Sequence, residues 1–173
     1  MLVGENDHYK PLAVTLRRLL ADGVIGDMLF AHFTTIARRL KTADDWRNEE
    51  TIAGGDAFFE EGIHWLHIAG SLGPRIVPTS VRGYRTPPST GGPDRRAKSM
   101  MVAFQYDNGA AGSLYYSREV PSLLKGLRLS KIFGRAVPWG SGLRTGPSVN
   151  FGRRFISPIV LRPRRDTMAD QRV

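Results

Sequence analysis

The chain has 173 residues, 41% of them hydrophobic, and no cysteine. These values suit one domain with a core and exclude wholesale disorder, a disulfide framework and a Cys-ligated zinc site. The formal net charge is +9, but +6 of it falls in residues 134–173, which hold eight Arg, no Lys and two Asp. The basic character belongs to the tail. With few aromatics there for stacking and no recognition motif, a solvated run is expected rather than a nucleic-acid partner.

No apolar run approaches a membrane span, and "MLVGENDHYK" lacks the basic-then-apolar pattern of a secretory signal. A cytoplasmic protein without membrane contact is the expectation. In chain order, "HYKPLAVTLRRLLADGVIG" reads as a helix, with Pro11 at a first helical position, Leu12, Leu16, Leu19 and Leu20 at helical spacing, and Gly23 as its stop. "DMLFAHFTTIARR" reads as a strand, with Leu29, Ala31, Phe33 and Thr35 alternating against Phe30, His32, Thr34 and Ile36. A polar loop, "LKTADDWRNEETIAGG", follows. A second helix runs from about Asp56 to Leu72 and is closed by Gly73-Pro74.

"RIVPTSVRGYR" is a strand in which Pro78 suggests an edge or a bulge. After a Pro/Gly-rich loop, two strands flank Asp107-Asn108-Gly109, a strong hairpin signal. "LLKGLRLSKIFGR" is one more strand, with Leu127, Leu129 and Lys131 on one side and Arg128, Ser130 and Ile132 on the other. Beyond Arg135 no period is sustained. The expected fold is α+β, a largely antiparallel open sheet with helices packed on one face. Residues 1–135 would form the domain, and 136–173 an irregular Arg/Gly/Pro-rich tail. The composition break reads as a frameshift or a truncated gene model that leaves the sheet without its last strands.

The second helix is apolar almost all round. At about 100° per residue, Glu60, His64, His67 and Ser71 share one narrow stripe. Gly62 costs roughly 1 kcal/mol against Ala in mid-helix, so a close approach is expected there. Glu60 and His64, at i and i+4, can hydrogen-bond; such a pair would hold the imidazole in one tautomer for general acid/base work, or would be a polar pair tolerated in a cleft wall. Glu60, His64 and His67 could also face one ion, but the pattern is not H-E-x-x-H and offers no fourth ligand, so no metal is expected.

"GGDAFFEEGIHWLHIAGSLG" resembles the signature of the Gfo/Idh/MocA oxidoreductases, the glucose–fructose oxidoreductase and inositol 2-dehydrogenase family. "GENDHYKPLAVTLRRLLADGVIGDMLF", "DWRNEETIAGG" and "VAFQYDNGAAGSLYYS" resemble the segments around it, in order, over roughly residues 3–135. The resemblance implies the second domain of an NAD- or NADP-dependent enzyme that moves hydride to or from a CH–OH carbon of a sugar or polyol. That domain supplies the substrate pocket and often a homo-oligomer interface through its sheet face.

By position, the resemblance gives Glu60 and His64 the proton-handling roles. It makes His67, Arg47, Trp46 and Tyr9 substrate contacts and brings Asn6 toward the nicotinamide. The family's Asp is Glu60 here, its last Asp is His67 and its third Gly is Asp56. A dinucleotide-binding βαβ unit is absent; "GSGLRTG", Gly140 to Gly146, has the wrong spacing for its loop. No cofactor is therefore expected to bind this chain alone, which would be inactive without a Rossmann domain. The alternative is a non-catalytic interaction module that pairs with full-length family members.

Overall fold

A computed structural model describes residues 5–38, 44–56, 58–74, 76–87, 97–121, 130–135, 148–152 and 155–159. A short 3-10 turn, Asn6–Tyr9, leads into α1, Pro11–Ala21. Pro11 at the helix start loses no hydrogen bond there. At the other end Gly23, at φ 68°, donates to Leu20 O while Val24 donates to Leu19 O. This Schellman closure needs the left-handed conformation that Gly adopts freely.

Strand β1, Asp27–Ile36, is followed by the short helix α2, Glu50–Ala53, and by a π-helical turn, Phe58–Gly62, that continues into α3, Ile63–Gly70. Then come β2, Pro78–Arg85, β3, Ser99–Tyr106, β4, Ala111–Ser117, and β5, Ser130–Arg135. Strands β6, Ser148–Gly152, and β7, Phe155–Ile159, complete one sheet in the order β2-β3-β4-β1-β5-β6-β7. Among the described pairings only β1 with β4 is parallel. The fold is thus an open, mostly antiparallel α+β sheet.

Helices cover one face. Leu16 of α1 and Trp65, Ile68 and Ala69 of α3 form one core with Ala31, Phe33, Val102, Phe104, Leu114 and Ile132 from the sheet. Each of the Leu, Ile, Val and Phe side chains among them stabilises the fold by about 1.5–3 kcal/mol when fully buried. The Tyr106 hydroxyl donates to Ala69 O at 3.2 Å, which ties β3 to α3, and burial pushes its phenol up. On the opposite face Phe30, Tyr115 and Phe133 are exposed among the described residues. No helix among the described residues is long and apolar enough to cross a membrane.

Three expectations need correction. In β1 the register shifts between Met28 and Phe30, so Met28, not Leu29, joins Ala31 and Phe33 in the core. A bulge adds one residue and breaks strict alternation. Second, the tail is not irregular throughout. Strand β6 pairs with β5, from Ser130↔Phe151 to Phe133↔Ser148, and β7 pairs with β6, so the sheet continues beyond β5. Ladder hydrogen bonds come from the backbone and need no apolar period. Pro158 lies in β7 and Pro78 in β2, the first and last strands in the sheet order, where proline is tolerated because half of the strand's N–H groups have no ladder partner. Third, the signature helix begins with a π turn rather than as one α-helix. Leu127, Arg128 and Leu129, Gly140 to Gly146 and the end of the tail lie outside the described residues.

The hairpin forms where expected. Gly109 N donates to Tyr106 O, Tyr106 N donates to Ala110 O, and Gly109 takes φ 81°. This is a three-residue loop closed by a left-handed glycine.

Candidate functional site

Asp56 opens the signature helix. Its Oδ1 accepts from Phe58 N and Phe59 N, both at 3.1 Å, satisfying two donors that the first turn leaves over. Its Oδ2 is buried and has no hydrogen-bond donor; Arg85 Nε lies 3.4 Å away, an ion pair without hydrogen-bond geometry. The Phe58 ring lies across Gly62, in space a Cβ would occupy. That is the close approach expected at Gly62.

The turn Phe58–Gly62 aims Glu60 at two guanidinium groups. Arg118 Nη1 donates to Glu60 Oε2 at 3.1 Å, and Arg47 Nε lies 3.2 Å from Oε1. Arg118 is only 8% exposed, so this carboxylate offsets a cation that would otherwise be costly to bury. Arg47 lies over the Trp46 ring, 4.8 Å from its centroid, and is held at its base by Asp45. Trp46, Arg47, Asp56, Phe59, Glu60 and Arg118 line a cavity of about 250 Å³.

His64 has a different partner from the one its spacing suggests. Its Nδ1 lies 2.7 Å from Glu5 Oε2, and Glu60 is taken by the two arginines. The π turn breaks the even 100° stepping that would align positions 60 and 64, and a guanidinium is a stronger partner for a carboxylate than an imidazole. His67 Nε2 lies 3.0 Å from His8 Nδ1. Arg17 donates to the His8 carbonyl and places Nη1 3.5 Å from His8 Nδ1. Desolvation, Arg17 and His67 lower the His8 pKa, and Glu5 opposes them.

For Glu5, burial works against ionisation. The hydrogen bonds from His64 and the Asp7 N–H, with the neighbouring rings of His64 and His67, outweigh it and hold the carboxyl below its ordinary range.

The residues singled out in the sequence thus fall into two groups one helical turn apart. Trp46, Arg47 and Glu60 share the cavity; His64 and His67 meet the segment that carries Asn6 and Tyr9. Asn6 is exposed, and Tyr9 is 76% exposed with its ring edge-on to His8. Glu5, Asp7 and His64 bring one potential ligand atom each within 4.8 Å of one another, but Asp7 is paired with Lys10.

Four residues were not foreseen: Glu5, His8, Arg17 and Arg118. Only Arg118 left a signal. It continues the inward alternation of Leu114 and Tyr116, so a charge had to enter the core side. Glu5 and His8 depend on contacts across 59 positions of chain, and Arg17 acts through His8.

Comparison with known proteins places the fold. The family model described as the GFO/IDH/MocA C-terminal domain matches residues 13–129, well over half of the chain. No curated protein matches. The chain is similar to an oxidoreductase from Thermotoga maritima (TM-score 0.67, 19% identity, covering 90% of this chain and 44% of that one). It is also similar to an inositol dehydrogenase homologue complexed with NAD+ from Azotobacter vinelandii (0.63, 18%, 86% and 37%). A third similar structure is levoglucosan dehydrogenase complexed with NADH and levoglucosan (0.65, 21%, 87% and 39%). At these identities the likeness is one of fold, and the chain spans about 40% of the length of such structures. By the extent of the family match, the chain belongs to the GFO/IDH/MocA C-terminal domain family.

Proposed function

We propose that this chain is the substrate-binding half of an NAD(P)-dependent oxidoreductase acting on a CH–OH carbon of a sugar or polyol. The observation that carries the reading is the cavity. It sets donors (Arg47, Arg118), acceptors (Glu60, Asp56 Oδ2) and an aromatic plane (Trp46) around a small volume, one turn from His64. Hydroxyl-rich ligands ask for that mixture, because each hydroxyl both donates and accepts.

The dinucleotide does not fit the described residues. Among them no strand runs through a Gly-rich turn into a helix N-terminus, which a pyrophosphate requires. Its site belongs to a Rossmann-type domain, with Asn6 and Tyr9 nearest to it. What this chain does concerns the proton: His64 accepts it from the substrate hydroxyl, while Glu60 holds Arg47 and Arg118 against the ligand and His67 and Tyr9 contact it.

The test is a titration of the chain with myo-inositol and with levoglucosan, followed by NMR at the Trp46 indole and the Arg118 guanidinium. Saturable shifts at both support the reading, and their absence with both polyols overturns it. Titration with NADH and NADPH should give no saturable binding to this chain alone; tight binding would overturn the assignment as half a site.

A second reading, an interaction module pairing with itself or with full-length family members, is favoured by the open sheet face. Phe30 and Phe133 sit directly opposite each other there, 59% and 39% exposed. Co-purification with an intact relative tests it.

A further inference from the structure

The segment before α1 and the signature helix meet through two matched pairs. Glu5 and His8 are three positions apart at a 3-10 turn, where residues i and i+3 eclipse. His64 and His67 are three apart on α3, where such residues are neighbours on one face. The two stripes dock side by side, Glu5 on His64 and His8 on His67. The turn is held in place by Glu5 accepting from Asp7 N, by Asp7 pairing with Lys10, and by Arg17 gripping His8 from the first turns of α1.

The chemistry of the partners settles where the ring protons lie. An ionised Glu5 can only accept, so His64 Nδ1 carries the hydrogen and Nε2 is left as the acceptor. The Arg17 guanidinium beside His8 Nδ1 disfavours a proton there, which leaves the single lone pair of that nitrogen for the closer His67 to donate to from Nε2. The neighbouring histidines of the helix are therefore held in opposite tautomers. Building on the function proposed above, we infer that Glu5, and not Glu60, is the positioning residue that holds His64 in the Nδ1–H form and so presents Nε2 to the substrate hydroxyl. When that proton arrives on Nε2, the imidazolium keeps its Nδ1–H bond to a carboxylate that is already charged. Glu60, bound to two guanidinium groups, is poorly suited to that task.

Ring ¹⁵N spectra of the chain at a pH where the histidines are neutral test this without cofactor or substrate. The expected result is the Nδ1–H signature at His64 and the Nε2–H signature at His67. Glu5→Leu should move His64 toward Nε2–H, Glu5→Asp should largely restore the original form, and Glu60→Gln should leave it unchanged. A wild-type His64 already in the Nε2–H form overturns the inference, as does a switch caused by Glu60→Gln; the wild-type spectrum decides even if Glu5→Leu does not fold. In an assembly with a Rossmann domain, Glu5→Leu should lower kcat more than it changes KM, within the roughly 10²–10⁴-fold that a positioned base contributes. If polyols fail to bind while the tautomers are as assigned, the functional reading falls and the Glu5–His64 link stands; the reverse pattern removes Glu5 alone.

Discussion

Strand β1 shows two solutions to the same alternation. Its inner side chains Ala31 and Phe33 are 1% and 0% exposed, while Phe30 on the outer face is 59% exposed. The inner face is sealed by α1 and α3, whereas the outer face offers aromatic surface with no helix over it among the described residues. Apolar side chains are therefore buried on one face and left accessible on the other, and neighbouring residues of one strand serve the two faces.

The largest contrast is expected in β4. Leu114 is fully buried, and Leu114→Ala should cost about 2–5 kcal/mol, since the surrounding core cannot fully collapse onto the cavity. Tyr115 is 42% exposed beside it, and Tyr115→Ala should cost no more than about 1 kcal/mol, the worth of a cross-strand aromatic contact. Urea unfolding of both variants measures the difference. Equal losses would mean that the outer face is covered as well.

Next in size is Gly134 of β5. A Cβ there would collide with the Ile25 carbonyl, which is backbone and cannot turn aside. Gly134→Ala should cost about 1–3 kcal/mol by overpacking. A melting temperature equal to wild type would show that the α1–β1 connection can shift, so the inner face is softer than its burial implies.

Much of this contrast could be read beforehand. Pro11 and Gly23 marked the ends of α1, Asp107-Asn108-Gly109 marked the hairpin, and Pro78 marked an edge, because each acts through its own φ or its missing N–H. The bulge at Met28–Phe30 left no such mark, nor did the pairing of β6 onto β5, which is a property of two backbones meeting. At the site, the shared face of His64 and His67 was legible from helix geometry; the separate placing of Glu60 and the partners of all three were not. Glu5 and Arg118 reach the helix from 59 and 58 positions away, and a π turn re-aims Glu60 on the way. Local spacing says which groups share a face. It does not say which distant charge will answer them.

The outer face is tested by charge. Phe30→Lys with Phe133→Lys replaces a directly opposed aromatic pair by two cations. Stability should fall by about 1 kcal/mol or less, because both positions are partly exposed and like charges face each other. Self-association, measured by sedimentation velocity, should be abolished if this face joins two copies. An unchanged sedimentation profile at matched concentration would mean that the face is not an interface.

The smallest effect concerns His32, which lies on the outer side of β1 between Ser113 Oγ at 2.9 Å and Thr34 Oγ1 at 2.7 Å. Both neighbours can accept as well as donate, so protonation does not break the hydrogen bonds. Burial disfavours the charged ring, and Lys131, directly opposite on β5, adds repulsion; together they lower the pKa from its ordinary 6.5. The unfolded chain then binds the proton before the folded one does. His32 contributes its full stability above about pH 6.5 and loses it as the pH falls toward the folded value, with no further change below that. His32→Gln keeps hydrogen bonding and should flatten this part of the stability–pH curve, whereas Lys131→Met should shrink it by bringing the folded pKa closer to the unfolded one. The effect is modest because the ring is partly solvated. Its direction still separates the two faces: the inner side of β1 offers acid nothing to titrate, while the outer side responds to acid before any carboxylate does. A slope that persists in His32→Gln would assign the response to another histidine.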